Sequence, residues 1–265
     1  MKNYFDLTGE VAVVTGGAGL LGSRYVEALK EAGAKVASFD IRLPKETIGV
    51  LELEVDITKK TQVKNAFAIV GTNLGIPTIL INNAGIDSHP NALTTDNGSF
   101  EDYQEKTWDL VLNSHLKGAF FVSQEFLKRF RASKKSNGSI INVSSTYGLI
   151  SPDQSLYEFR RKNGEKFFKP VTYSVAKSGM LNFTRWLAEY CVSSGLPVRV
   201  NTLVPGGVFN GQSDEFVKDY SKRTILGRMA RTDEYNAAIL FLASHKASSY
   251  MTGSTLVVDG GWTAK

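Results

Sequence analysis

Three side chains in the second half of this chain have the types and spacing of an acid–base group. Tyr173 and Lys177 stand four apart in YSVAK, so on a helix they share one face. A phenol with its ordinary pKa of about 10 is a poor base near neutrality, and an ammonium beside it favours the phenolate. Such a pair can give a proton to a carbonyl oxygen or take one from an alcohol. Ser145, in the serine pair that closes SIINVSS, supplies a hydroxyl to hold the reacting oxygen. Between Ser145 and Tyr173 lie 27 residues, 146–172, patterned as neither helix nor strand.

A second constellation sits near the N-terminus. VAVVTGGAGLLG sets Gly16, Gly19 and Gly22 at G-x-x-G-x-x-G spacing, after a strand-like run and before a helical one. Glycines admit a tight turn and close approach of the backbone to a pyrophosphate, and the helix N-terminus offers free N–H groups to the anion. The next strand-like run, KVASFD, ends in Asp40, 18 residues beyond Gly22. A carboxylate there accepts from the adenosine ribose hydroxyls and repels a 2′-phosphate. Arg42, two residues on, can accommodate that phosphate, so NAD is expected first and NADP second.

These groups need elements to carry them. EVAVVTGG, KVASFDI, TILINNAG, SIINVSS, VRVNTLVPGG and STLVVDGG read as strands, and amphipathic helical runs alternate with them. Continuous apolar runs such as VAVV and TILI predict strands covered on both faces. The alternation predicts one α/β domain over 1–265: a single doubly wound Rossmann fold, a mostly parallel sheet of about seven strands with helices on both faces. Two stretches break the pattern, an insert at about 149–170 and a loop at about 207–230. Both follow strand ends, where open α/β sheets bind ligands.

Other classes are disfavoured by composition. The net charge of +5 is spread over short clusters, with no basic stripe for nucleic acid. The single cysteine, Cys191, has no partner, and His89, His115 and His245 are far apart, so no metal site is expected. No apolar run approaches the ~20 residues that span a bilayer, and the N-terminal segment has no apolar signal core. The expected compartment is the cytoplasm.

Taken together, TGGAGLLG, VDI (55–57), NNAG (82–85), LNSHLKG (112–118), INVSS (141–145), YSVAK (173–177), VNTLVPGG (200–207) and VVDGG (257–261) resemble, in order, the short-chain dehydrogenase/reductase superfamily, in its short single-domain branch. The resemblance runs from about Leu7 to Ala264. The branch usually has glycine where this chain has Leu20. It implies Tyr173 as general acid/base, Lys177 lowering its pKa and holding the ribose, Ser145 orienting the substrate oxygen, and Asn113 supporting a proton relay. It also implies cofactor contacts at Gly16, Gly19, Leu20, Leu21, Asp40, Ile41, Asp56, Ile57, Asn83, Ala84, Gly85, Pro205, Gly206, Val208 and Asn210, the last standing where the family often has threonine.

The insert and the 207–230 stretch are similar to a subgroup associated with bacterial surface-carbohydrate and flagellin modification. That implies a small-molecule substrate, a sugar, sugar phosphate or nucleotide sugar, with Tyr147, Tyr157, Glu158 and Gln212 as contacts. Asp153 and Gln154 belong to the same polar set. The insert sets Arg160, Arg161, Lys162, Lys166 and Lys169 against Asp153, Glu158 and Glu165, and this balance reads as a substrate-side, anion-seeking lid. The expected reaction interconverts a secondary alcohol and a ketone. Two other readings stay open: a transient-redox epimerase or dehydratase that retains NAD, and a noncatalytic NAD(H)-binding subunit. The family further implies a homo-oligomer, tetramer or dimer, packed through helices 106–131 and 173–193.

Overall fold

The computed structural model describes residues 3–43, 47–87 and 98–265. Seven strands form one parallel sheet: β1 Val11–Thr15, β2 Lys35–Asp40, β3 Val50–Glu54, β4 Ile79–Asn82, β5 Gly138–Val143, β6 Val198–Pro205 and β7 Thr255–Val258. Their spatial order is β3-β2-β1-β4-β5-β6-β7, so the winding reverses between β1 and β4. The carboxyl ends of those two strands carry the glycine loop and NNAG, which places both at the switch point where such sheets bind ligands.

The helices in chain order are α1 Gly22–Glu31, α2 Lys60–Asn73, α3 Glu105–Leu112, α4 Gly118–Arg131, α5 Thr146–Leu149, α6 Glu158–Lys162, α7 Val171–Ser193, α8 Asp214–Ser221, α9 Asn236–Ala243 and α10 His245–Ser248. The central strands are buried along their length, as runs such as VAVV require. Side chains alternate between the faces. Val13, Phe39, Ile140 and Val200 join the core that contains Phe67 of α2 and Phe126 of α4; Val14, Ile81 and Ile141 join the core that contains Tyr25 of α1 and Ile239 of α9. The run that sequence patterning passes over is β3. Its VLELE lies at the sheet edge and is only half-buried, so its hydrophobic signal is weak.

A buried polar chain ties α7 and α4 to the middle of the sheet. Asn82 Nδ2 donates to Ser123 Oγ at 3.0 Å and to Asn142 Oδ1 at 2.8 Å. Asn142 Nδ2 and the Thr202 hydroxyl both donate to Thr184 Oγ1, whose own proton goes to the Met180 carbonyl. Interior polar groups of this kind fix register, because an alternative packing would strand them unpaired.

The 149–170 insert differs from the expected lid. A 3₁₀ turn, Gln154–Tyr157, runs into α6, and Leu156, Tyr157 and Phe167 are buried within a third core. Tyr147, Phe216, Tyr220, Met229 and Trp262 complete it. The 207–230 stretch is likewise partly helical: Ser213 Oγ accepts from the Phe216 N–H and caps α8, which turns Phe216 and Tyr220 onto the insert. Three of the insert's cations are held by local partners. Arg160 pairs with Glu165 and lies 4.0 Å over the Phe167 ring; Arg161 donates to the backbone carbonyls of Gln154 and Phe167; Lys162 pairs with Glu158. Of the set read as anion-seeking, Lys169 alone lines the cleft described below.

If the insert is a packed unit, truncating its centre must destabilise it. Phe167→Ala is expected to lower the free energy of unfolding by about 3 kcal/mol, read by denaturant titration. A loss under ~0.5 kcal/mol, the scale of an ordinary surface change, would contradict the packed insert.

Candidate active site

One cleft of about 890 Å³ opens along the carboxyl ends of the strands. Every position assigned above to cofactor contact lines it, as do Ser145, Tyr147, Tyr157 and Gln212. At one end the chain leaves β1 through Gly16, whose φ of +66° is strained for any other residue. A Cβ on Gly22 would stand 1.9 Å from the Gly16 carbonyl oxygen, so the first turn of α1 can sit against the loop only with glycine there. Asn83 Nδ2 donates to the Thr15 and Gly16 carbonyls and braces the loop from β4. Asp40 accepts from the Ala18 and Arg42 backbone N–H groups, which fixes its carboxylate at the strand end beside the loop. This cradle of bare backbone, helix N-terminus and strand-end carboxylate fits the pyrophosphate and ribose of a dinucleotide.

At the other end Ser145, Tyr173 and Lys177 converge. α5 folds back on α7: Ser144 Oγ donates to the Lys177 carbonyl at 2.7 Å and Ser178 Oγ to the Gly148 carbonyl at 2.9 Å. Lys177 Nζ donates to the Val143 carbonyl at 2.9 Å and lies 5.6 Å from the Tyr173 ring centroid. Burial pulls the Lys177 pKa down to about 8, against a smaller upward pull from Asp87. Burial dominates Tyr173 as well and raises its pKa, with Asp87 adding to the rise and a hydrogen bond with Ser145 opposing it. The free protein therefore holds Tyr173 as the phenol, the form that protonates a ketone oxygen.

Two assigned residues stand elsewhere. Asn113 does not line the cleft. It opens a π-turn, Asn113–Lys117, that interrupts the long helix expected here, and its carbonyl accepts from Gly118. Leu110 of α3 and Ser114 and His115 of the turn line the cleft. The His115 ring meets Tyr173 edge to face at 5.8 Å, and a Cβ on Gly85 would lie 2.1 Å from it, so NNAG ends in glycine to admit this imidazole. Its Nε2 is 3.0 Å from the Ile86 carbonyl, which can only accept, so Nε2 carries the proton. Burial, with Lys177 and Lys169 nearby, lowers its pKa to about 3 and keeps it neutral. Glu158 also misses the cleft: it is the first residue of α6, exposed and paired with Lys162, while Tyr157 beside it faces inward.

Other polar residues of the insert are used locally. Asp153 caps the 3₁₀ turn through the Ser155 N–H and pairs with Arg223. Gln212 accepts from the Asn210 N–H and donates to the Val208 carbonyl, shaping the loop rim. Cys191 is a buried free thiol. Among the described residues no group of three metal-type ligands forms, and no helix is long and apolar enough to cross a membrane. His89 lies outside the described residues.

The family model described as enoyl-(acyl carrier protein) reductase matches residues 16–263. The chain is 30% identical to 2-dehydro-3-deoxy-D-gluconate 5-dehydrogenase of Escherichia coli, over 98% of each sequence. It is 36% identical to post-translational flagellin modification protein A of Campylobacter coli, over 60% of each. Its fold superposes with a TM-score of 0.86 on a short chain dehydrogenase from Leptospira borgpetersenii with bound NAD+, at 31% identity over 99% of this chain and 96% of that one.

Keeping an ammonium buried costs stability. The pKa of Lys177 falls from 10.5 to about 8 on folding, so between those values the unfolded chain binds more protons and stability rises with pH. Lys177→Met is expected to raise the unfolding free energy at pH 7 by about 3 kcal/mol and to flatten that rise. Urea titrations at pH 7 and above pH 9 measure the difference; a change that is the same at both pH values, or a destabilisation at pH 7, would contradict the buried cation.

Proposed function

The chain belongs to the short-chain dehydrogenase/reductase family, and from that premise we propose that it is an NAD(P)-dependent oxidoreductase that interconverts a secondary alcohol and a ketone on a sugar-related substrate. The observation that carries the reading is the convergence of Ser145, Tyr173 and Lys177 at one end of a cleft whose other end is a dinucleotide cradle. A bound nicotinamide supplies or accepts the hydride. Ser145 holds the substrate oxygen, and Tyr173 gives it a proton or takes one away. Lys177, charged below pH of about 8, favours the phenolate when an alcohol must lose its proton. His115, neutral and wedged between Gly85 and Tyr173, packs edge to face against the tyrosine ring, and Asn113, at the start of the same π-turn, supports the proton relay.

Asp40 favours NAD over NADP, because its carboxylate stands where a 2′-phosphate would come. The sugar class draws support from the deoxygluconate dehydrogenase and flagellin-modification relatives. Aromatic and hydroxyl-bearing walls, Tyr147, Tyr157 and Tyr220, suit a polyol. A homo-oligomer belongs to the same reading: Trp186, Tyr190 and Val192 give α7 an exposed apolar strip.

Tyr173→Phe is expected to lower turnover at least about 10²-fold while NADH affinity stays within a factor of two, read by NADH absorbance and by titration of NADH fluorescence. Substantial residual turnover would remove the proton-transfer role. Asp40→Ala is expected to weaken NAD binding far more than NADP binding, and equal affinities for the two in the unaltered protein would overturn the NAD preference.

A further inference from the structure

Asp87 and Lys169 form an ion pair in the cleft that the proposed chemistry does not use. Lys169 Nζ lies 2.6 and 2.7 Å from the two carboxylate oxygens of Asp87. The lysine side chain is 6% exposed and the carboxylate 36%, and both line the cleft. The same Nζ stands 4.7 Å from the Tyr173 ring centroid, nearer than that of Lys177. The pair therefore flanks the Tyr173 ring within the cleft.

The insert holds this lysine from behind. Gln154 clamps its backbone on both sides: Oε1 accepts from the Lys169 N–H at 2.9 Å, and Nε2 donates to the Lys169 carbonyl at 3.1 Å. Arg161 ties the Gln154 and Phe167 carbonyls together, and Phe167 is buried in the third core. The ordered contacts of the insert thus converge on the placement of one side chain. A pair whose lysine is buried must first recover a desolvation cost, so it is weak evidence of a purely stabilising role.

Charge decides what the pair can bind. A solitary buried ammonium would select a carboxylate or phosphate. Here Asp87 already balances the ammonium, and an incoming anion meets a carboxylate. A hydroxyl answers both halves, since it donates to the carboxylate and accepts from the ammonium. We propose that Asp87 and Lys169 are a specificity-determining subsite for an uncharged hydroxyl on the carbon next to the reacting one. The substrate is then a polyol or sugar that is neutral at that carbon, with any phosphate or carboxylate further away. The proposal rests on the oxidoreductase reading and narrows its substrate class.

Three ring-sized probes test it: cyclohexanol, trans-1,2-cyclohexanediol and trans-2-hydroxycyclohexanecarboxylate. Binding is read by isothermal titration into NAD-saturated protein, and turnover by NADH absorbance. The diol is expected to lead both others by about tenfold, the scale of a hydrogen bond to a charged group. Asp87→Asn weakens the diol by a similar factor and raises the carboxylate relative to it, because the negative charge that an incoming anion would meet is gone. Lys169→Gln weakens the diol without that inversion. Equal losses on all three probes would reduce the pair to a structural tie and overturn the proposal. So would a carboxylate that leads in the unaltered protein, or a diol that does not bind. Binding in the expected order with no turnover would instead defeat the oxidoreductase reading and leave the subsite standing.

Discussion

The placement of one buried ammonium organises the chemical end of this molecule. Lys177 sits under the carboxyl end of the sheet with the Val143 carbonyl as its acceptor, and a charge in that position is tolerable only where polar groups are fixed around it. The carbonyl is available because β5 ends there. The helix carrying Lys177 is held at the right height by the interior chain through Asn142, Thr184 and Thr202. Ser144, bonded to the carbonyl of Lys177 itself, then brings Ser145 across to Tyr173. The acid–base group is thus one consequence of how α7 docks on β5 and β6.

The cofactor end was legible in the sequence because its constraints are local. A glycine loop, a strand-end acid and NNAG each depend on backbone geometry within a few residues, and their spacing survives folding unchanged. Tyr173 and Lys177 were legible for the same reason, being one helical turn apart. His115 was not. A π-turn shifts the phase of the helix by a residue, and nothing in LNSHLKG distinguishes that turn from regular helix, so the approach of Ser114 and His115 to the cleft cannot be read from spacing. A clash between a residue at position 85 and an imidazole 30 positions later is equally invisible before the chain folds.

The insert failed to read as structure because its order comes from scattered aromatics and not from a period. Leu156, Tyr157 and Phe167 share no helical or strand spacing, yet they meet Phe216, Tyr220 and Trp262 from the far end of the chain. Its charges looked like a surface seeking anions because ion pairs such as Arg160 with Glu165 and Arg223 with Asp153 are settled only in three dimensions. The Asp87–Lys169 pair spans 82 positions and was hidden for that reason.

The third core has a bearing on how such an enzyme changes over evolutionary time. It is built from the insert, α8 and the C-terminal turn, and it is distinct from the two cores that clamp the sheet. Substitutions within it alter the cleft wall that carries Tyr147 and Tyr157 and against which Tyr173 packs, while the sheet keeps its own two cores. Selection can therefore rework the repertoire of alcohols that the cleft admits one aromatic at a time, within what the stability of the insert tolerates.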